Sequence, residues 1–187
     1  MTLWLALLRG INVGPKNQVK MTDLQQACTA LGLQEVETYI RSGNVIFASP
    51  VTEAELRSRL ETHLAETFGF PIQVILRSTA EIDRLIADCP YSPAELATAQ
   101  AVNQEGESFY VSLFPAAAPA DCADRLAALC PTGEDFRLHG RELYLLLHCS
   151  IRNSKVAAAL PRIWGAGTVR NWNTLTTLHG LLQVRCQ

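Results

Sequence analysis

Two successive halves of this 187-residue chain show the same order of predicted strands and helices, and no other feature constrains the fold as strongly. In the first half, an apolar strand over 4–9 precedes an amphipathic helix that Gly32 ends. A hairpin with its turn at 42–44 follows, then a second helix that Gly69 ends and a strand over 72–76. The predicted order is therefore β-α-β-β-α-β.

The second half repeats that order after a separating segment. A third helix begins after Ser78 and ends at Pro90, and a stretch over 90–108 rich in Ala, Gln and Glu follows, with a short helix from Pro93. The repeated elements are a strand over 109–114, a helix from Pro119, a hairpin about 140–141, a helix over 154–160 that Pro161 ends, and a strand over 167–170. A closing helix begins near Asn171.

Each half has the element order of a ferredoxin-like plait, an antiparallel sheet with two helices on one face. We expect an α+β fold of two tandem plaits with an extra C-terminal helix. The first plait is placed at 1–77, and the linker helix, second plait and closing helix at 78–187. The loop at 10–20 and the turn at 42–44 are expected at opposite ends of the first sheet, so they would meet only through the other half or a second subunit.

Composition and charge exclude several classes of protein. A net charge of −2 and a pI of about 6.1 disfavour nucleic-acid binding, which usually requires a basic surplus. The apolar run at 3–8 is too short for a signal core or a membrane span, so we expect a cytoplasmic protein without membrane association. The six cysteines contain no C-x-x-C pair and the four histidines are scattered, so neither a metal nor a cofactor is predicted.

The loop after the first strand reads R-G-I-N-V-G-P-K-N over 9–17. A nucleoside-triphosphate loop needs four residues between its glycines and then Lys and Ser or Thr, so this spacing excludes one. Two interpretations remain. In one, Arg9, Lys16 and backbone N–H groups bind a carboxylate or a phosphate. In the other, which is purely structural, Asn12 and Asn17 form hydrogen bonds with the local backbone and the loop only changes the direction of the chain.

Other polar residues near predicted loops are not explained by exposed helix faces. The S-G-N sequence at 42–44 fits an ordinary hairpin turn, Asn171 can cap the last helix, and Arg170 suits either anion recognition or an internal ion pair. The candidate ligand-binding set is Arg9, Asn12, Lys16, Asn17, Ser42, Asn44, Ser154, Lys155, Arg170 and Asn171. It is rich in hydrogen-bond donors and poor in general bases, which favours anion binding over catalysis.

Three segments carry a resemblance to a known family. They are R-G-I-N-V-G-P-K-N at 9–17, T-Y-I-R-S-G-N-V-I-F at 38–47 and V-R-N-W-N-T-L-T-T-L at 169–178, together with S-K at 154–155. In this combination the chain resembles the bacterial domain of unknown function 1697. The resemblance spans essentially the whole chain and implies a pair of ferredoxin-like plaits, and it implies no established activity.

Three hypotheses about function follow from these patterns. The first is a binding module that holds a small anionic ligand or a protein partner between the two plaits. The second is an acylphosphatase-like hydrolase in which Arg9 binds the substrate and Asn44 orients water, an analogy based on the fold alone. The third is RNA binding on an open sheet face, although the chain lacks the basic and aromatic motif that such plaits use.

Overall fold

Eight strands pair into two four-stranded antiparallel sheets in the computed structural model, which describes residues 1–186. One compact unit consists of residues 1–84 together with 178–186, and it contains the first sheet. The other unit consists of residues 85–177 and contains the second sheet. The α+β class, with two tandem plaits and a closing helix, is confirmed.

The first sheet comprises β1 (Thr2–Arg9), β2 (Gln34–Tyr39), β3 (Asn44–Ser49) and β4 (Gln73–Ser78), in the spatial order β2-β3-β1-β4. The helices α1 (Met21–Ala30) and α2 (Glu53–Phe68) share a core with one face of this sheet, to which β1 contributes Trp4, Ala6 and Leu8. The alternate residues Leu5 and Leu7 are also fully buried, as expected for a strand that is apolar on both faces.

Two helices follow β4 in the chain. They are α3 (Thr79–Ala87) and α4 (Pro93–Val102). The second begins with a reciprocal capping box, in which the Ser92 hydroxyl accepts a hydrogen bond from the backbone N–H of Glu95 and the Glu95 carboxylate accepts one from the backbone N–H of Ser92. The predicted helix from Pro93 is therefore confirmed.

The second sheet comprises β5 (Phe109–Leu113), β6 (Glu134–His139), β7 (Glu142–Leu147) and β8 (Thr168–Asn171), in the order β6-β7-β5-β8. Its helices are α5 (Cys122–Ala127) and α6 (Lys155–Ile163), and the closing helix is α7 (Trp172–Arg185). The residues predicted to face inward on α7, Leu175, Leu178 and Leu182, are fully buried. The repeated element order and the closing helix are therefore confirmed.

Pro161 was expected to end its helix, and this prediction was wrong. It lies inside α6, which continues to Ile163. A proline within a helix removes one backbone hydrogen bond and crowds the preceding turn. Leu160 and Ile163 are both buried in the second core, so the last turn of α6 is held by packing despite that loss.

The expected separation of the 10–20 loop from the 42–44 turn was also wrong. Strand β1 runs antiparallel to β3 with Leu7 opposite Asn44, so the end of β1 lies beside the beginning of β3. The backbone N–H of Leu8 donates to the carbonyl oxygen of Gly43 at 2.8 Å. Neighbouring antiparallel strands run in opposite directions, so the last residues of β1 lie beside the first residues of β3. The loop after β1 and the turn before β3 are therefore at the same end of the sheet.

Candidate functional site

The loop over 10–20 is folded back on itself by its own polar groups. Four of its residues have positive φ: Gly10, Asn12, Gly14 and Asn17. The backbone N–H of Asn12 donates to the carbonyl of Asn17 at 3.0 Å, and the Asn17 side-chain amide donates to the carbonyl of Gly10 at 3.0 Å. The two asparagines thus make the local hydrogen bonds that the purely structural interpretation of this loop requires. The loop is shaped before any ligand arrives.

The side chain of Asn12 also joins this loop to the β2–β3 turn. Its Nδ2 donates to the carbonyl of Arg41 at 2.9 Å and to that of Val19 at 3.0 Å, while its Oδ1 accepts the backbone N–H of Val19 at 2.8 Å. One amide therefore fixes both ends of the loop and the neighbouring turn. The two segments form a single surface at the end of the first sheet.

The β2–β3 turn is held from inside by Asn44. This side chain is fully buried, and its Nδ2 donates to the carbonyl of Tyr39 at 3.1 Å and to the hydroxyl of Ser42 at 2.9 Å. Gly43 has a φ of +74°, and Ile40 has a φ of +47° although it is β-branched. A positive φ is unstrained for Gly43, whereas it strains the backbone of Ile40.

Three cationic side chains and two large apolar side chains are exposed at this end of the sheet. We define the loop surface as Val13, Lys16, Asn17, Lys20, Ile40 and Arg41, all of which are exposed. Segments 9–20 and 38–44 together contain four basic residues and no acidic residue, in a chain whose net charge is −2. Arg9 is half-buried, and its Nη1 donates to the Gln73 side chain at 3.4 Å.

Ser154 and Lys155 lie in the second unit, at the start of α6. The carboxylate of Glu134 accepts hydrogen bonds there from the Ser154 hydroxyl at 2.6 Å and from the backbone N–H groups of Lys155 at 2.9 Å and Val156 at 3.2 Å. A helix N-terminus favours negative charge, and Glu134 supplies it from within the chain. These amides are therefore already bound to an internal anion, while the Lys155 side chain is exposed.

Arg170 and Asn171 also belong to the second unit. Arg170 is 9% exposed, and its Nη1 donates to the Thr168 hydroxyl and to the carbonyl of Val169, both at 2.8 Å. Burial lowers the pKa of Arg170 to about 10, so it remains a cation at neutral pH. The Asn171 side chain accepts the backbone N–H of Thr174 at 2.8 Å, which is the predicted cap on the last helix.

A second buried arginine, Arg77, is missing from the sequence-based set. It is 1% exposed and lies on β4 opposite Leu5, as Arg170 lies on β8 opposite Val111. Each arginine is the penultimate residue of the last strand of its plait. Aligning the two halves residue by residue, rather than by element order, would have found it.

The structure therefore divides the ten candidate residues into two groups. Six of them lie at one end of the first sheet: Arg9, Asn12, Lys16, Asn17, Ser42 and Asn44. The other four, Ser154, Lys155, Arg170 and Asn171, lie in the second unit, at the start of α6 and the end of β8. Of the first group, Lys16 and Asn17 are exposed. Arg41, which was not in the candidate set, is exposed beside them on the loop surface.

The buried cysteines have a structural role. Cys28 packs in the first core, and burial raises its pKa to about 12. At pH 8 only about one part in ten thousand of this thiol is ionised, so a thiol-disulfide reagent should not modify it in the native protein. Cys186 is exposed and should react at once. Timed labelling with mass mapping, with and without denaturant, checks this, and rapid native labelling of Cys28 would contradict it.

Within residues 1–186, no group of three or more His, Cys, Asp or Glu side chains is arranged to hold a metal ion. An open depression along α1 is lined by Thr22, Gln25, Gln26, Thr29 and Ala30. It carries no charged side chain, and its lining residues lie outside the loop surface. In the same described part of the chain, no helix has both the length and the apolar character needed to cross a bilayer.

Fold and loop geometry together define a protein of two tandem βαββαβ plaits, the first of which ends in a preshaped, cation-bearing loop surface. The chain belongs to the family described as Protein of unknown function (DUF1697), whose sequence profile matches residues 1–144. It is similar in structure to the conserved bacterial protein SP0830 from Streptococcus pneumoniae, with a TM-score of 0.73 and 27% sequence identity over 98% of this chain and 99% of that one. No protein of curated function matches it.

Proposed function

We propose that this protein binds an anionic group, a carboxylate or a phosphate, at the loop surface of its first plait. The observation that carries the proposal is the hydrogen bond from Asn12 to Arg41, because it joins the two cation-bearing segments into one surface. Lys16, Lys20 and Arg41 are exposed on these segments, and no acidic residue interrupts them. Charge-assisted hydrogen bonds from such groups are among the stronger polar contacts that proteins make.

The second plait provides an internal comparison for this loop. There the backbone N–H of Phe114 donates to the carbonyl of Arg141 at 3.0 Å, as Leu8 donates to Gly43 in the first plait. The loop that follows reads P-A-A-A-P-A-D over 115–121 and has no basic residue. In the second plait a cation of the turn helps to close this end, since Nη1 of Arg141 donates to the carbonyl of Pro115 at 3.3 Å. The exposed lysines of the first loop, Lys16 and Lys20, have no counterpart in the corresponding loop of the second plait.

The chemistry of the loop surface supports binding over hydrolysis. A hydrolase of the acylphosphatase kind would need an asparagine amide available to orient water, and the Asn44 amide is buried and donates within the turn. Segments 9–20 and 38–44 also contain no Asp, Glu, His or Cys that could act as a general base or nucleophile. The surface offers positive charge and N–H donors to an anion.

Calorimetric titration with inorganic phosphate and with citrate tests this proposal. The double variant Lys16→Ala with Arg41→Ala should weaken binding by about tenfold or more, since each cation contributes a charge-assisted contact. Arg162→Ala removes an exposed arginine from the second unit and should leave the affinity unchanged. Equal weakening by Arg162→Ala, or wild-type affinity in the double variant, would contradict the proposal.

A further inference from the structure

We infer that the anion bound at the loop surface belongs to an acidic polypeptide segment that also carries apolar side chains. The inference rests on the function proposed above and names the chemical class of the partner. It comes from two side chains that anion binding does not use. Val13 is 76% exposed and Ile40 is 48% exposed.

These two apolar residues belong to the same surface. Val13 follows Asn12 in the chain and Ile40 precedes Arg41, and the side chain of Asn12 donates to the carbonyl of Arg41 at 2.9 Å. The two exposed apolar side chains therefore flank one hydrogen bond, with cations on the same two segments. Single exposed apolar residues are common on protein surfaces, whereas apolar side chains grouped among charges are typical of protein-binding sites.

Ile40 is strained in the free protein, and its side chain gains little from folding. Its φ of +47° places a β-branched residue in the left-handed region, where the backbone strain costs about 1–3 kcal/mol. Its apolar side chain also remains in water. Asparagine or glycine would adopt the same backbone with less strain. Folding alone therefore gives no reason for isoleucine here, and contact with an apolar side chain of a partner gives one.

The charge distribution favours a short acidic segment over a nucleic acid. Segments 9–20 and 38–44 carry a charge of +4, so the remainder of the chain carries −6 to give the overall −2. A long polyanion would extend beyond the loop surface and be repelled by the rest of the protein. A short peptide confined to this surface places carboxylates near Lys16, Lys20 and Arg41 and apolar side chains on Val13 and Ile40.

Two labelled synthetic peptides of equal length and charge test this inference by fluorescence anisotropy. One alternates glutamate with leucine and the other alternates glutamate with serine. The glutamate–leucine peptide should bind about tenfold more tightly, because its leucines cover apolar surface that the serines cannot. Oligouridylate of the same charge serves as the nucleic-acid probe and should bind more weakly than the glutamate–leucine peptide.

The variants Val13→Ser and Ile40→Asn should remove most of the advantage of leucine, so that the two peptides bind with similar affinity. Ile40→Asn should also raise the thermal midpoint, which shows that the loss of binding is not a loss of folding. Val102→Ser, at a valine that is 56% exposed on α4, is the matched control. It should change neither the affinities for the two peptides nor the thermal midpoint.

Equal affinity for the two peptides, or tighter binding of oligouridylate, would overturn the inference. In either case, the function proposed above stands if Lys16→Ala with Arg41→Ala still weakens binding of phosphate and of the glutamate–serine peptide. If the double variant binds both as tightly as the wild type, the proposed function itself fails.

Discussion

Gly43→Ala is expected to lower the free energy of unfolding by about 2–4 kcal/mol. A Cβ at this position would lie 2.7 Å from Cδ1 of Ile11 and 2.9 Å from Cβ of Leu8, closer than non-bonded carbon atoms approach. The φ of +74° adds strain that glycine avoids. Relief of the clash requires the β2–β3 turn to move away from the loop that contains Ile11. Denaturant unfolding measures the loss of stability.

The same movement should weaken anion binding, because it separates the two segments that carry the cations. We expect at least a tenfold loss of affinity for phosphate in the fraction that remains folded. Gly69→Ala is the matched control, since its φ of +79° is similar and a Cβ there meets no atom within 4 Å. It should cost about 1 kcal/mol from backbone strain and leave binding unchanged. Similar affinity in the Gly43 and Gly69 variants would contradict the coupling of turn and loop.

Gly167→Ala should destabilise the second plait to a similar extent, by about 2–4 kcal/mol. A Cβ there would lie 2.7 Å from the carbonyl oxygen of Leu113 and 2.7 Å from ring atoms of Phe114. That ring is stacked on Trp164 with centroids 3.9 Å apart, so it cannot turn aside without disturbing a second aromatic side chain. The backbone oxygen belongs to Leu113 on β5. This strand is paired with both β7 and β8, so it cannot shift without breaking that pairing.

The control for Gly167→Ala is Gly180→Ala, within α7, where a Cβ meets no atom within 4 Å. This substitution should leave stability unchanged or raise it by up to about 1 kcal/mol, because alanine is the better helix former. Thermal or denaturant unfolding of both variants checks the pair. Gly167→Ala should leave the phosphate affinity of the folded protein unchanged, and wild-type stability in this variant would contradict the close packing at Gly167.

Much of the fold follows from local patterns in the sequence. The leucine stripe at Leu56, Leu60 and Leu64 predicts the buried face of α2, and the Ser92 capping box marks the start of α4. These signals are local, since they depend on neighbours within one helical turn. Pro161 shows their limit, because buried residues on both sides of it extend α6 through a position that local rules exclude.

The candidate site was harder to predict because it depends on contacts between distant parts of the chain. The spacing of the first loop does not show that Asn12 reaches Arg41, a contact that follows from the pairing of β1 with β3. Nor does the S-K sequence show that Glu134 binds the start of α6. The strain at Ile40 is a backbone property with no sequence signal, since isoleucine ordinarily favours strands.

Backbone amide shifts during titration with inorganic phosphate test most directly whether the first loop and the β2–β3 turn act as one anion-binding surface. Residues 10–20 and 40–44 should shift together and saturate with one dissociation constant, and the amides of Lys155 and Val156 should keep their positions in the spectrum because Glu134 holds them. Shifts confined to the second unit, or different dissociation constants for the two segments of the first plait, would contradict a single surface.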